Sequence, residues 1–376
     1  MSNKRINVFY RGPLERSRLG FLLELFSSMG LAVKLYWLLP HPKYYNPNHR
    51  VLEPFMDSYP EVTFEVISAQ FTELFSTRQK VSSLLRSSPN SVTVAVGFTA
   101  PFFLSNEVVG HQIWCINGIP EESLLHRNTL LKRWEVMLKW GIIRRLYTPD
   151  LVITVSTRMN RYVSEKFKSV KTVAIPLCVD LERFTMKSKS ERKYFTYSGS
   201  GAPWQNLSQL SELWGELYRQ DSSIRFRVIS RDPRSKILGQ YLPEYALEFV
   251  GTSDLDELAV LMSEAEVGFL LREDTLVNRV SFPTKLSEYL ASGAWAVVSK
   301  LDWDASTYIE GFQVGILVDP SLPVQKLASA ILEQREQFAK DQNLEERLQL
   351  VVAGLGKSHW LKVGGEYLRV SGYFSS

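Results

Sequence analysis

Cysteine and histidine are scarce in this chain, and their scarcity excludes several classes of protein. The 376 residues include two cysteines and five histidines, too few for a disulfide framework and without the spacing of zinc ligands. We find neither a nucleophile elbow nor a Cys/His site suited to covalent catalysis. Cys115 and Cys178 stand beside apolar residues, where buried thiols are common. We therefore expect no cofactor, no bound metal and no structural disulfide.

Long hydrophobic runs are also missing. The first five residues lead directly into a strand-like run that is too short for a signal peptide or a membrane span. There is no internal repeat, low-complexity tract or heptad pattern, and no recognition helix or aromatic-basic pattern typical of nucleic-acid binding. Apolar residues make up 45% and charged residues 22% of the chain, enough for two ordinary domains. We expect a cytoplasmic globular protein that does not bind nucleic acid.

The net charge of +4 conceals an uneven distribution of charge. Residues 1–175 contain 22 Lys and Arg against 13 Asp and Glu, a net charge of +9, and the remaining residues have a net charge of −5. A basic half favours an anionic partner. We therefore expect the first half to contact a membrane surface, a lipid phosphate or an acidic glycan.

Short β-branched or apolar runs alternate with helical patterns, which is typical of βα units in parallel sheets. In the first half, the predicted strands are Ile6–Tyr10, Leu31–Leu39, Thr63–Ile67, Val92–Val96, Gln112–Cys115 and, closing the set, Leu151–Val155. In the second half they are Tyr194–Tyr197, Arg225–Ile229, Leu247–Val250, Val267–Leu271, Ala296–Val298 and Gly315–Val318. The predicted fold class is α/β, with two doubly wound domains. We expect the domain boundary near the segment 175–184, where a proline follows a strand-like run and the chain then turns polar. This boundary divides the chain into residues 1–175 and residues 176–356.

The segment 278–293 is the most informative motif. Pro283 fits the first turn of a helix and Ser281 can cap it, so free backbone N–H groups would face an anion there. Lys285 and Glu288 lie three residues apart on one helical face, so the ammonium can approach a phosphate while the carboxylate accepts hydrogen bonds from a ribose diol. The alternative is an ordinary surface ion pair. The motif favours a nucleotide diphosphate as the ligand.

Several segments together resemble the GT-B glycosyltransferases, and within them family 4, the retaining nucleotide-sugar enzymes of bacterial polysaccharide and glycolipid synthesis. Besides the motif above, the resemblance rests on Asp150–Ser156, Ala174–Phe184, Tyr197–Trp204 and Phe249–Leu258. It implies two Rossmann-like domains that face each other across a cleft. The first would bind the acceptor and the second the nucleotide sugar, while a last helix within residues 357–376 would pack back on the first.

The resemblance also implies the reaction. A hexosyl group would move, without a metal, from a donor such as a UDP-sugar to a lipid-linked or glycan acceptor, with retention at the anomeric carbon. The Ser281–Gly293 pattern is similar to that of the capsule and exopolysaccharide branch of the family. A protein of this kind would work in the cytoplasm, and its basic half could bring it to the inner face of the membrane.

Two departures from the family pattern leave alternatives open. Val280 stands where the first of two motif glutamates should fall, and Ser200 and Gln205 replace the arginine and lysine of the family's glycine loop. The nearest basic candidates to replace those cations are Arg272, Arg279 and Lys285. The alternatives to a transferase are a nucleotide-sugar 2-epimerase of the same architecture and an inactive pseudo-transferase that binds a nucleotide sugar.

The resemblance assigns candidate residues to three roles. The predicted catalytic residues are Glu122, Arg279 and Lys285. The predicted donor-binding residues are Ser198, Gly199, Ser200, Gly201, Gln205, Ser230, Arg231, Gly251, Thr252, Arg272, Ser281, Phe282, Pro283, Lys285 and Glu288. The predicted acceptor-binding residues are Arg11, Arg16, Arg18, Asn117, Gly118 and Glu121. As alternatives, the two adjacent glutamates could only complement a helix dipole, and the arginines of residues 11–20 could form a solvated basic loop.

Residues 126–145 predict an amphipathic helix. Its apolar residues recur at helical spacing: Leu130, Leu131, Trp134, Met137, Leu138 and Ile142. Basic residues surround them: Arg127, Lys132, Arg133, Lys139, Arg144 and Arg145. Such a helix can lie on an anionic membrane, or its apolar face can cover the sheet of the first domain. The sequence leaves both alternatives open.

Overall fold

The computed structural model describes residues 5–12, 14, 18–39, 52–88, 91–104 and 110–374, and the structural statements below concern these residues. Arg16, one of the predicted acceptor-binding residues, lies outside them. The chain divides into two compact units, of which the first comprises residues 1–176 and 360–376 and the second residues 177–359. In the described part, no helix combines the length and the apolar character that crossing a membrane requires.

A parallel sheet, seven-stranded over the described residues, forms the centre of the first unit. Its strands are β1 (Arg5–Tyr10), β2 (Ala32–Leu39), β3 (Thr63–Ser68), β4 (Val92–Val96), β5 (Gln112–Cys115), β6 (Leu151–Thr154) and β7 (Lys171–Ala174). They lie in the order β3-β2-β1-β4-β5-β6-β7. All residues of β4 are buried, as expected for a parallel strand with helices on both faces of its sheet.

The α-helices before residue 177 lie between most of these strands. They are α1 (Arg18–Ser28), α2 (Leu52–Asp57), α3 (Leu74–Arg86), α4 (Glu122–His126), α5 (Leu130–Leu146) and α6 (Thr157–Lys166). The predicted bounds of β4 and β5 are confirmed. The prediction that residues 151–155 close the sheet is wrong, because β7 pairs with β6 beyond it. β7 is a short edge strand with no buried residue, so its sequence lacks the apolar run that marks the inner strands.

The helix predicted over residues 126–145 is present as α5, but it begins at Leu130. α4 ends at His126, the backbone is extended at Arg127, and α5 begins after Thr129, whose side chain accepts a hydrogen bond from the Lys132 N–H over 3.3 Å. The buried residues of α5 are Val136, Trp140 and Ile143. The six apolar residues that the sequence singles out are 41–82% exposed, so they do not cover the sheet.

The second unit repeats the α/β pattern around a parallel sheet that is six-stranded in the described structure. Its strands are β8 (Tyr194–Ser198), β9 (Arg225–Ile229), β10 (Leu247–Val250), β11 (Ala265–Leu270), β12 (Trp295–Ser299) and β13 (Gly315–Val318). They lie in the order β10-β9-β8-β11-β12-β13. Its helices are α7 (Leu207–Gln220), α8 (Leu255–Ser263), α9 (Leu276–Val280), α10 (Thr284–Ala291), α11 (Asp304–Phe312), α12 (Val324–Lys340) and α13 (Leu344–Leu355). Every predicted strand of this half is confirmed, within two residues at each end.

Helix α10 packs closely on β11, and one glycine permits the approach. A Cβ on Gly268 would lie 2.2 Å from the Tyr289 ring, a distance at which atoms overlap, so no larger residue fits there. The close packing brings the Tyr289 hydroxyl within 2.7 Å of the Ser198 N–H, which donates to it. The fully buried Tyr289 thus ties α10 to the end of β8.

The last helix, α14 (Lys357–Val370), belongs to the first unit from residue 360 onward. Its buried positions include Gly364 and Gly365. A Cβ on Gly364 would lie 3.6 Å from Leu25 of α1, and a Cβ on Gly365 would lie 3.9 Å from the same side chain. Beyond the helix, the ring of Phe374 stacks on Phe26 at 6.1 Å between centroids. The end of the chain therefore packs on α1.

Candidate functional site

The sheet of the second unit changes direction between β8 and β11. From β8 the chain adds β9 and β10 on one side, and it then returns to add β11, β12 and β13 on the other. Open parallel sheets bind ligands at such a switch point, outside the carboxyl ends of the strands. Residues 199–205 and 271–274, which follow β8 and β11, are therefore the segments best placed to contact a ligand.

Arg272 leaves β11 at this switch point. The residue is 9% exposed, and its backbone N–H donates to the Ser299 hydroxyl over 2.8 Å. Its guanidinium has no hydrogen-bond or ion-pair partner among the described residues, and Nε is buried without an acceptor. Burial lowers the pKa of Arg272 to about 10, partly opposed by Tyr197 and Tyr289, so the group stays charged at neutral pH. Since a buried charge is stable only when it is paired, this site is suited to an anionic ligand.

The loop after β8 corrects one expectation from the sequence. Three of its N–H groups already have protein acceptors: Ser198 donates to the Tyr289 hydroxyl at 2.7 Å, Gly199 to the Ile229 carbonyl at 3.2 Å and Gly201 to the Asp232 carboxylate at 2.9 Å. These N–H groups are therefore not free to surround a phosphate. A Cβ on Gly201 would lie 2.4 Å from the Cβ of Arg234, so packing alone explains this glycine. Donor binding by these residues and by Ser200 stays a prediction.

The junction between α9 and α10 differs in detail from the predicted cap. The Ser281 hydroxyl donates to the Asn278 carbonyl over 2.9 Å, so it closes α9 and does not cap α10. Pro283 is the N-cap of α10 and lies just before the first turn, not within it. Phe282 is buried against Tyr308, with the ring centroids 5.6 Å apart. Packing and backbone contacts thus fix the start of α10.

Lys285 and Glu288 form an ion pair on α10. The distance from Nζ to Oε2 is 2.7 Å, and the Glu288 side chain is 9% exposed against 28% for Lys285. A carboxylate offers two acceptor oxygens, and this pair uses Oε2. Val280, which stands in place of the expected motif glutamate, is buried at the end of α9.

The other predicted donor residues lie along the carboxyl ends of the strands. Ser230 and Arg231 follow β9, Gly251 and Thr252 follow β10, and Gln205 is buried at the end of the loop after β8. Arg279, predicted to be catalytic, forms an ion pair with Asp274 at 2.6 Å, and both side chains are about half exposed. Its charge is already compensated, in contrast to that of Arg272.

A cavity of about 470 Å³ lies at the switch point of the first unit, between β1 and β4. Four predicted residues line it: Arg11, Asn117, Gly118 and Glu122. Burial raises the pKa of the Glu122 carboxyl, and the nearby His126 opposes this effect. The Arg11 guanidinium lies 4.6 Å from the centre of the Phe71 ring, and burial lowers its pKa. The cavity therefore combines a carboxyl group of raised pKa with basic side chains.

Two predicted acceptor residues are held elsewhere in the first unit. The buried Arg18 guanidinium donates to three carbonyls, those of Thr154, Ile175 and Pro176, at 3.0–3.4 Å. Glu121 accepts hydrogen bonds from the indole N–H of Trp140 at 2.9 Å and from the Tyr162 hydroxyl. Neither Arg18 nor Glu121 is among the residues that line the cavity as described. The structure gives both side chains a role in packing, and their contact with an acceptor stays a prediction.

Some cavity residues are not among the sequence-based candidates. Tyr10 is the last residue of β1, Phe98 and Thr99 follow β4, His126 ends α4, and Lys139 reaches the cavity from α5. A position just after a predicted strand indicates that a residue can contact a ligand, because ligands bind at the carboxyl ends of parallel strands. It identifies a site only once the strand order is known, and the sequence does not give that order.

The comparisons with known proteins agree with this geometry. Residues 179–351 match the family model of the glycosyl transferases group 1, and this range lies within the second unit. The second unit carries a group 1 glycosyltransferase domain. No curated protein sequence matches the chain.

Several solved structures are similar over nearly the whole chain. Sucrose-phosphate synthase from Thermosynechococcus elongatus is 16% identical, with 98% of this chain and 99% of that chain covered and a TM-score of 0.73. The Anabaena protein HepE, solved in complex with UDP and glucose, is 13% identical, with 98% and 100% covered and a TM-score of 0.71. The pneumococcal O-GlcNAc transferase GtfA, in complex with UDP and GlcNAc, is 11% identical, with both chains fully covered and a TM-score of 0.66. The predicted fold class, GT-B with two Rossmann-like domains, is confirmed.

Proposed function

We propose that the protein is a retaining glycosyltransferase that moves a hexosyl group from a UDP-sugar to a lipid-linked or glycan acceptor in polysaccharide or glycolipid synthesis. The observation that carries the proposal is Arg272, a buried cation that has no partner among the described residues and lies at the switch point of a group 1 glycosyltransferase domain. A nucleotide diphosphate is the anion that fits the domain. The proposal includes a cytoplasmic location and no requirement for a metal.

The proposed reaction assigns separate roles to the two units. In the second unit, Arg272 and Lys285 stabilise the negative charge that develops on the leaving diphosphate, and Glu288 accepts hydrogen bonds from the ribose. In the first unit, Glu122 orients the acceptor hydroxyl. The hydroxyl oxygen bonds to the anomeric carbon as the bond from that carbon to the diphosphate oxygen breaks, on the same face, and the hydroxyl proton leaves with the diphosphate.

Two of the similar structures support the choice of donor. The HepE structure is a complex with UDP and glucose, and the GtfA structure is a complex with UDP and GlcNAc. In this chain, Ser200 and Gln205 stand where the family's glycine loop has two cations. Arg272 is a buried positive group beside that loop. Its position after β11 allows it to take over their part in binding phosphate.

The test is a turnover assay with a panel of nucleotide sugars and lipid-linked and glycan acceptors. We expect the nucleoside diphosphate to be released only when donor and acceptor are both present, and EDTA to leave the rate unchanged. NMR of the product should show the donor's anomeric configuration. Inversion would contradict the retaining mechanism, and a sugar recovered with its C2 configuration inverted would indicate the epimerase.

A binding protein without turnover is the second candidate. The buried Val280 favours it, because the carboxylate expected near the donor sugar is replaced there by an apolar side chain. A protein that binds UDP and a UDP-sugar in calorimetry, but releases no product with any acceptor, would support this candidate. If Val280→Glu then gave turnover, the missing carboxylate would be identified as the cause.

A further inference from the structure

Helix α5 carries apolar residues on two opposite faces. Val136, Trp140 and Ile143 are buried in the first unit. At about 100° per residue, the residues opposite to them are Leu130, Leu131, Trp134, Met137, Leu138 and Ile142, which are all at least 41% exposed. We call these six the α5 stripe. A helix that packs on a sheet needs a single apolar face, so core packing does not account for the stripe.

The stripe has the size and shape of a contact surface. Leu131 is 82% exposed, Leu130 75% and Trp134 60%. The six residues follow one another at spacings of one, three or four positions, so they form a continuous patch along the helix. Single exposed apolar residues are common on protein surfaces, whereas a contiguous patch usually marks an interaction site.

Basic residues border the stripe. α5 contains five basic residues and a single acid, Glu135. Glu135 pairs with Lys132 and Lys139 on one side of the stripe, each at 2.6 Å. On the other side, Arg133 and Arg144 are exposed, and the Arg133 guanidinium donates to the side-chain carbonyl of Asn128. The surface is therefore cationic at its borders and apolar along its middle, except for Arg145 in the last turn of the helix.

We infer that α5 docks the protein on an anionic lipid bilayer, with the stripe in the acyl-chain boundary and the basic residues at the headgroups. Charge decides between the candidate occupants. A second copy of the chain would bring its own cationic border against this one, whereas an anionic bilayer offers an apolar layer beneath negative charge. The net charge of +9 over residues 1–175 adds long-range attraction in the same direction.

The docking helix also borders the cavity of the first unit. Lys139 belongs to α5 and lines the cavity together with Arg11 and Glu122. Docking would therefore hold the cavity close to the headgroup layer, where the polar end of a lipid-linked acceptor lies. This last step rests on the proposed function and selects a lipid-linked acceptor over a soluble glycan, while docking itself can be measured without donor or acceptor.

The test is cosedimentation of the full chain with vesicles of phosphatidylcholine alone or mixed equally with phosphatidylglycerol. We expect binding to the mixed vesicles, which weakens as salt rises, and much weaker binding to the neutral ones. The combined change Leu131→Ser, Trp134→Ser and Leu138→Ser should abolish binding without loss of fold. Arg133→Glu with Arg144→Glu should weaken it roughly 25-fold or more, at about fivefold for each basic residue.

Matched controls come from exposed positions of the second unit. Leu350 and Val260 are 59% and 58% exposed, and Lys326 and Lys340 are exposed. Serine at the first two or glutamate at the last two should leave vesicle binding unchanged. Trp134→Phe should keep binding but reduce the quenching of tryptophan fluorescence by lipids brominated in the acyl chain, since it removes the indole placed in that layer.

Three results would overturn the inference. The first is equal binding to neutral and anionic vesicles, or none to either. The second is binding that the two control pairs reduce as much as the α5 changes do. The third is self-association of the native protein in light scattering, without vesicle binding, that the triple serine variant abolishes. That result would assign the α5 stripe to contact with a second copy of the chain. Loss of turnover with vesicle binding intact would count against the proposed function and leave docking unaffected.

Discussion

Replacing Arg272 with methionine should stabilise the fold and weaken donor binding at the same time. The guanidinium is buried without a partner in the described structure. Burial lowers its pKa to about 10, which corresponds to roughly 3 kcal/mol against the charged form. Methionine has no charge to desolvate and fills a similar volume, so we expect a gain of about 1–3 kcal/mol in the free energy of unfolding without ligand.

Two measurements check this prediction. Thermal unfolding without ligand should show the transition of the second unit shifted upward by about 2–10 °C. Calorimetric titration with UDP should show affinity lower by about 1.5–3 kcal/mol, or roughly tenfold to 150-fold, because a charge-assisted contact with the diphosphate is lost. Arg272→Lys should retain part of the affinity, since it keeps the charge but not the planar donor geometry.

Arg227 provides the matched control within the same unit. It is also buried, but its guanidinium contacts Glu248 at 2.8 Å and Glu264 at 2.9 Å, and it lies 3.6 Å from the centre of the Tyr194 ring. Arg227→Met should therefore destabilise the fold, by about 1–3 kcal/mol since both carboxylates are partly exposed, and leave UDP affinity unchanged. If Arg272→Met behaved like this control, the reasoning that an uncompensated cation marks the donor site would be refuted.

Three further predictions concern the other site residues. Glu288→Gln should weaken UDP binding by about 1.5–3 kcal/mol with little change in thermal stability, because it removes the charge from the bond to the ribose; unchanged binding in calorimetry would exclude the ribose contact. The pKa of Glu122 is raised. If its carboxylate orients the acceptor, kcat/KM should therefore fall as the pH decreases through a pH above the pKa of an ordinary glutamate. Glu122→Gln should remove this decrease. Arg18→Met should lower the thermal transition of the first unit by several degrees, because three buried carbonyls lose a charged donor; an unchanged transition would contradict its structural role.

The inner strands could be predicted from the sequence because burial on both faces demands a continuous apolar run. β4 and β12 are buried at every residue, and a run of this kind between turn signals has few other interpretations. β7 cannot be predicted in this way, for the same physical reason. As an edge strand it pairs on one side only and remains partly exposed, so its residues need not be apolar and its pattern resembles that of a loop.

The glycine-rich loop after β8 shows why a ligand site cannot be predicted from glycine positions alone. A glycine indicates that a side chain is not tolerated, but it does not say what occupies the space. At Gly201 that space borders Arg234, and the Gly201 N–H donates to Asp232. A loop that cradles phosphate and a loop that packs on its own protein therefore share one sequence pattern, and only their contacts in the folded protein distinguish them.

Helix α5 shows the corresponding limit for helical periodicity. The spacing of apolar residues identifies a stripe, but it cannot say whether the stripe faces the core or the solvent. In α5 the narrower apolar face is buried in the core. Its largest residue is Trp140, whose indole N–H donates to the Glu121 carboxylate. The wider stripe is left at the surface with a basic border. Exposure of so much apolar area is unfavourable in water, so packing in the first unit does not explain the α5 stripe. An anionic bilayer would bury the apolar residues of the stripe and attract the basic residues along its borders.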